Sequence, residues 1–400
     1  MNSLQSIADE RSLPTLSFKT LFSLSVGAGV SVASIYYNQP ILDLLAKSFH
    51  LDVSQAGLIP TLTQIGYALG ILLLVPLGDS LDRKKLIIAK ASLLAIALLV
   101  TSMASGYGML LITSLLIGVM ATTAQDIVPA AAAMASDQQR GKTVGTVMTG
   151  LLTGILLSRV FSGFIAEFFG WQSVFYSAAL AVAVTGLLLS RILPAMPASS
   201  VLTYKQTLQS MLPLWQRYPR LKQAALSQGL MSLSFSAFWT TLAVFLAEKY
   251  QMGSAAAGAF GIAGAAGAIA APLAGSLSDK IGAHKVAVTS ILLVVFSYVG
   301  IYFTSLLPLA GQIPALIALV IVFDFGLNAT LIAHQSIVYG LEPQARGRLN
   351  AILFTFVFIG MASGSALGSF LYQHFGWDGV VGAITAASAL AWLVRLKQFR

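Results

Sequence analysis

Twelve apolar stretches, each roughly 20 residues long and most of them joined by short turns, constrain this chain more than any other feature, because about that length of helix crosses the hydrocarbon core of a bilayer. They run over roughly 18–41, 54–78, 85–105, 108–134, 143–166, 171–193, 223–247, 254–277, 285–305, 310–338, 348–371 and 378–396. Lipid offers no partner to an open backbone N–H or C=O, so each stretch is predicted to be a helix and the fold class all-α integral membrane. Composition agrees. Hydrophobic residues make up 57% and charged residues 9%, where soluble chains carry about 25% charged. So few charges cannot cover a water-soluble globule, which excludes a disordered chain and an ordinary soluble enzyme. There is no cysteine, and His50, His284, His334 and His374 are scattered. Thiol chemistry and a zinc cluster are thereby excluded, and no metal or cofactor is expected. The absence of a Walker-type phosphate loop excludes an ATP-driven pump.

The net charge of +9 is dispersed and forms no basic stripe, which points to membrane orientation and away from nucleic acid. With both termini in the cytoplasm, 20 of the 23 lysines and arginines fall on that side, Lys90 among them. Only Lys47 and Lys249 fall outside, and Arg159 lies within a span. A bias this large fixes the expected orientation. Asp9 and Glu10 precede the first stretch and eleven more follow it, so it is expected to be a span and not a cleaved signal. The long polar connection divides the chain into a six-span half at 1–193, a cytoplasmic linker at 194–222 and a second half at 223–400. In the linker, Leu202, Leu208, Met211, Leu212 and Trp215 are spaced like one face of an interfacial helix. Trp171 and Trp377 are expected in the interfacial belt.

The halves repeat each other. Gly78-Asp79-Ser80-Leu81-Asp82-Arg83 ends span two and Gly275-Ser276-Leu277-Ser278-Asp279-Lys280 ends span eight. Arg140-Gly141-Lys142 and Arg346-Gly347-Arg348 open spans five and eleven, and Phe169-Gly170-Trp171 and Phe375-Gly376-Trp377 precede spans six and twelve. Two like-oriented halves imply a pseudo-twofold axis along the membrane normal, with a shared site between them.

On these residues the chain resembles the major facilitator superfamily of secondary transporters over nearly its whole length. The signature is Gly-x-x-x-Asp-Arg/Lys-x-Gly. The second copy has Gly275, Asp279, Lys280 and Gly282; the first keeps Gly78, Asp82 and Arg83 but lacks the later glycine. The segments Tyr36-Tyr37-Asn38-Gln39-Pro40, Phe238-Trp239-Thr240-Thr241 and Arg348-Leu349-Asn350 resemble the arabinose-efflux and drug-export branch. The resemblance implies twelve spans in two six-helix bundles, a small-molecule substrate, the bacterial cytoplasmic membrane, and a monomer. Spans one, four, seven and ten would line the cavity, which favours Asn38, Trp239 and Asn328 as substrate contacts, with Gln39 and Gln64 as further polar candidates.

The loop motifs are expected to act as latches at the cytoplasmic end. Asp82 would meet the amino end of span eleven near Gly347, and Asp279 that of span five near Gly141. Arg83 would pair with Asp137, and Lys280 with Glu342. These clasps would hold that end shut in one state and break in the other.

Ionisable residues inside a span cost roughly 2.5–3.5 kcal/mol each on insertion scales, so each needs a reason. Asp324 falls near the middle of span ten and is the leading candidate for a proton carrier, with Asp126 of span four as the second. Arg159 of span five could bind an anion, and its depth suits Asp324 better than Asp126. Its counterpart 206 residues on is Ser365, so the charge breaks the repeat. The drug:proton antiporter elements are altered here: Thr122 stands at the span-four arginine, Asp126 at the glycine, and Arg159 where span five carries proline. Together these features predict a proton-coupled exporter of a small organic solute. Uptake or uniport of an anionic metabolite, and a non-transporting sensor on the same fold, are the alternatives.

Overall fold

The computed structural model describes residues 16–136, 138–198 and 203–397. Among these the chain is helical with no strand, and nine helical stretches are long and apolar enough to cross a membrane. The first half contains spans Phe18–Ala33, Val53–Ser80, Arg83–Ser102, Tyr107–Met134, Arg140–Phe169 and Trp171–Ile192. The second begins with Pro219–Tyr250, continues through Ser254–Ala259 and Ala265–Ile281 as one interrupted span, and then through Ala283–Phe303 and Leu309–Tyr339. Its last two spans run as Arg346–Leu396, turned at Gly376 by a backbone φ of 65°. Gly170, between spans five and six, has a φ of 83°. Both are backbone conformations that glycine adopts without penalty, which gives the duplicated Phe-Gly-Trp its physical cause.

Span one is shorter than the hydropathy suggests. Its helix ends at Ala33, and residues 34–41 form irregular turns. Pro40 has no N–H and disfavours helix at the residue before it, and buried protein neighbours replace the lipid that could not tolerate such backbone. The linker also differs from its expected form. Met211 and Leu214 are buried, Trp215 stacks on Phe356 of span eleven at 4.7 Å, and Arg348 donates to Ser210 at 2.7 Å. Leu212 points outward, and Leu202 lies outside the described residues. The linker therefore docks on protein. Trp171 and Trp377, next to the turns between spans, face protein: the first is buried beside Phe49 and Phe175, and the second stacks on Phe245 at 4.0 Å.

The halves touch each other along one end. Span two meets span eleven: Ser54 N–H donates to Gln373, Thr61 reaches the carbonyl of Ala362, and Tyr67 packs on Phe358 at 4.3 Å. Span five meets span eight in the same manner, with Ser254 donating to the carbonyl of Gly163 at 3.0 Å. Gly57 allows the closest approach, since a Cβ there would overlap the hydroxyl of Ser369. Toward the lysine- and arginine-bearing end the helices separate. A Cβ at Gly141, Gly145, Gly275 or Gly347 would meet nothing within 4 Å. Among the described residues, the hydrogen bonds named here between the halves lie at one end, and these glycines of the basic end stand in open space.

Candidate functional site

The unwound end of span one places Tyr36, Asn38 and Gln39 in the buried interior between the halves. Asn38 donates to Thr63 at 3.1 Å, and Gln39 accepts from Nε of Arg159 at 3.2 Å. Arg159 crosses from the first half toward the second. Its guanidinium lies 4.3 Å from the ring centre of Trp239, 4.9 Å from Tyr36 and 5.5 Å from Phe235. These ring faces hold a desolvated cation by quadrupole attraction. Gly261 makes the crossing possible, since a Cβ there would sit 2.8 Å from Cβ of Arg159.

Asp324, 2% exposed, lies across from this cage beside Gly264. It is an electrostatic neighbour of Arg159, yet no ion pair within 4 Å joins the two among the described residues. Among the described residues, three buried polar atoms here have no hydrogen-bond partner, Oδ1 of Asn38, Nε2 of Gln39 and Nη2 of Arg159, while Nε1 of Trp239 faces the carboxylate of Asp324. Most buried polar groups in proteins are bonded, so such a concentration calls for an explanation. Asn328 donates to the main-chain carbonyl of Asp324 at 2.9 Å and is partly exposed.

Gln64 lies one layer away from this group, in a bonded cluster between the halves. Its amide donates to Ser236 at 3.0 Å and accepts from Ser365 at 3.0 Å, while Ser365 also bonds Ser236 and Thr240 at 2.8 Å each. Every member is buried. Gln64 is thus part of the closure and is saturated by partners from spans seven and eleven.

Asp126 meets a partner that sequence reasoning placed in the cytoplasm. Lys90 of span three is buried and lies 2.5 Å from its carboxylate. The count of basic residues misled here, because a lysine two turns inside a helix can face a neighbouring helix as well as solvent. Breaking such a pair from one side leaves a naked buried charge, at a cost of about 3–5 kcal/mol, whereas replacing both partners by apolar groups is often neutral. Lys90→Met alone and Asp126→Leu alone should each lower the melting temperature sharply, and the double variant should recover most of the loss. Additive losses in a thermal melt would contradict the pairing.

Among the described residues, Asp82, Asp279 and Lys280 do not make the contacts expected of the latches. Arg83 pairs with Asp79 at 2.8 Å, and Asp137 lies outside the described residues. Asp82 caps its own helix, accepting from the N–H of Lys85 at 3.2 Å. Glu342 accepts from Tyr218 at 2.7 Å, with no ion pair to Lys280 among the described residues. Asp279 and Lys280 are exposed, and the faces at Gly78 and Gly275 differ: a Cβ at Gly78 would lie 3.2 Å from Asp126, one at Gly275 in open space.

A second pair of clasps, not among the expected ones, lies at the closed end. Glu167 accepts from the N–H of Ala255 at 2.7 Å, and Gln373 from the N–H of Ser54 at 2.9 Å. These two side chains stand 206 residues apart, the spacing of the internal repeat, and that offset is the signal in the sequence that could have found them.

Two like-oriented helical halves, joined at one end over a buried polar site, have the layout of a secondary transporter. The chain belongs to the Major Facilitator Superfamily, whose family model matches residues 24–223 and 224–399. It is 39% identical over 375 residues to the uncharacterized transporter YgaY of Escherichia coli O157:H7, covering 92% of this chain and 93% of that one. A transporter of Streptomyces coelicolor is 34% identical, over 92% and 85% of the two chains. Among solved structures, a bacterial homolog of the human lysosomal transporter Spinster, inward-facing and unoccupied, superposes with a TM-score of 0.78 at 14% identity, covering 94% of this chain and 96% of that one. The nucleoside transporter NupG superposes with a TM-score of 0.77 at 12% identity, over 95% and 100%. The protein is a membrane transporter and not an enzyme.

Proposed function

We propose that this transporter is a proton-coupled exporter of a small organic solute, seated in a bacterial cytoplasmic membrane with both termini and the basic end in the cytoplasm. The observation that carries the reading is the cluster of a buried cation and a buried carboxylate in the interior between the halves. In this orientation the glycines in open space face the cytoplasm, which supports reading this state as inward-open. Solute enters from the cytoplasm and reaches Asn38, Gln39, Arg159, Trp239, Asp324 and Asn328. Closure of the basic end then draws Asp82 and Asp279 toward the amino ends of spans eleven and five, while Glu167, Gln373 and the Gln64 cluster let go. Asp324 takes up a proton as solute leaves. Each chain holds a complete site, so a monomer suffices.

Flux into inverted vesicles with an imposed pH gradient tests this, and solute accumulation that ignores the gradient would refute proton coupling. Asp82→Asn should insert normally and lose transport, because the clasp it forms exists only in the other state; near-normal flux in that variant would remove the latch. Arg159, with no carboxylate bonded to it, supports the competing reading of an anion moved by uniport. Counterflow at equal rate with and without the pH gradient would favour that alternative.

A further inference from the structure

We propose that the solute is a small zwitterion, an amino-acid-like molecule whose carboxylate meets Arg159 and whose ammonium meets Asp324. This rests on the reading of the site as the place where solute binds. Lys90 and Asp126 form a buried pair in direct contact at 2.5 Å. Arg159 and Asp324 are close enough to interact electrostatically, are 3% and 2% exposed, and do not touch. An ion in a low-dielectric interior carries a penalty of several kcal/mol unless it is paired with good geometry. A lone anion would match Arg159 and leave Asp324 to a proton, and a lone cation would leave Arg159, which keeps its charge, unmatched. A ligand carrying both charges satisfies each and keeps the interior neutral.

The orphaned atoms, with the carboxylate of Asp324, divide in the same sense. Nε2 of Gln39 and Nη2 of Arg159 are donors, and they suit a carboxylate. Oδ1 of Asn38 and the carboxylate of Asp324 are acceptors, and they suit an ammonium group. Pro40, Leu242, Ala243 and Ala257 lie beside Gln39, Arg159 and Trp239, apolar neighbours that suit an apolar body on the ligand. The same arrangement supplies an exchange rule. A proton and an ammonium group each neutralise Asp324, and only one of them can do so at a time, which makes the two compete for the carrier.

The test uses purified full-length protein and molecules that differ only in charge. Leucine, isoamylamine and 4-methylpentanoate share an isobutyl body; phenylalanine, phenethylamine and 3-phenylpropionate share a benzyl one. Calorimetric titration should show the zwitterion of at least one series binding about tenfold or more tighter than its amine and its acid, a difference of about 1.4 kcal/mol. Asp324→Asn should move the preference to the acid and Arg159→Gln to the amine, while Asp324→Glu keeps the zwitterion preference. Ligand-free melting curves confirm that each variant is folded. An amine or acid that binds the unaltered protein as tightly as its zwitterion overturns the proposal, as does the absence of binding by all six. Zwitterion preference without any vesicle flux supports the proposal and defeats only the transport assignment. Driven flux of an amine or acid with no flux of its zwitterion defeats the proposal and leaves export standing.

Discussion

Asp324→Asn should cut flux driven by a pH gradient by about tenfold or more, toward the leak of protein-free vesicles, a loss equivalent to about 1.4 kcal/mol or greater. The expectation follows from the position of the group. Asp324 is buried on span ten, and Nε1 of Trp239 faces its carboxylate. A carboxylate's hold on its proton depends on how much water reaches it, so changes in access as the halves rock can load and unload it. Asparagine keeps the shape and cannot exchange the proton. The carboxylate of Asp126, by contrast, is engaged by Lys90 at 2.5 Å. The variant should insert, purify and melt like the unaltered protein, since it removes a buried charge without opening a cavity. pH-driven flux at the original rate would strike Asp324 from the coupling mechanism.

Much of the architecture was legible because bilayer thickness and hydrogen-bond satisfaction leave few choices. The spans, the repeat and the linker follow from apolar runs and recurring turns. The duplicated Phe-Gly-Trp was visible as a pattern, and Gly170 and Gly376 supply its cause in left-handed backbone. What hydropathy could not show is the direction in which a polar side chain faces. Lys90 looked like an orientation charge and is a buried partner of Asp126. Trp171 sits next to a turn as a belt residue would, yet its ring is buried against Phe49. Span one looked continuous through residue 41, but Pro40 ends its helical reach, and the resulting irregular turn brings Gln39 to Arg159. The cage around Arg159 was equally hidden, because Tyr36, Phe235 and Trp239 come from two different halves. Spacing within one span carries no record of such a meeting. Glu167 and Gln373 are the exception, because the 206-residue period of the repeat relates these two positions directly.

If the halves rock about the buried site, side chains added at opposite ends should push the equilibrium in opposite directions. A Cβ at Gly57 would overlap Ser369 across the closed end, whereas one at Gly347 meets nothing within 4 Å at the basic end. Gly57→Leu therefore cannot coexist with the state described here, and overpacking of even a few methylenes commonly costs about 1–3 kcal/mol. That penalty falls on the state described here alone, so the population should shift toward the opposite state by about fivefold or more. Gly347→Leu is accommodated in the present state and should obstruct the approach of Asp82 when the basic end closes, so it should hold the protein in the present state. Glu167→Ala combined with Gln373→Ala should act in the same direction as Gly57→Leu, more weakly, because it removes two hydrogen bonds from the closed end. The chain has no cysteine, so single cysteine pairs placed across each end report spin-label distances without background. Gly57→Leu should lengthen the distance across the closed end and shorten the one across the basic end, and Gly347→Leu should leave both as they are. Both variants should transport poorly, since each traps one of two required states. A Gly57→Leu protein with the original distances at both ends would mean that the contacts between spans two and eleven do not close a gate, and the rocking mechanism would fail with them.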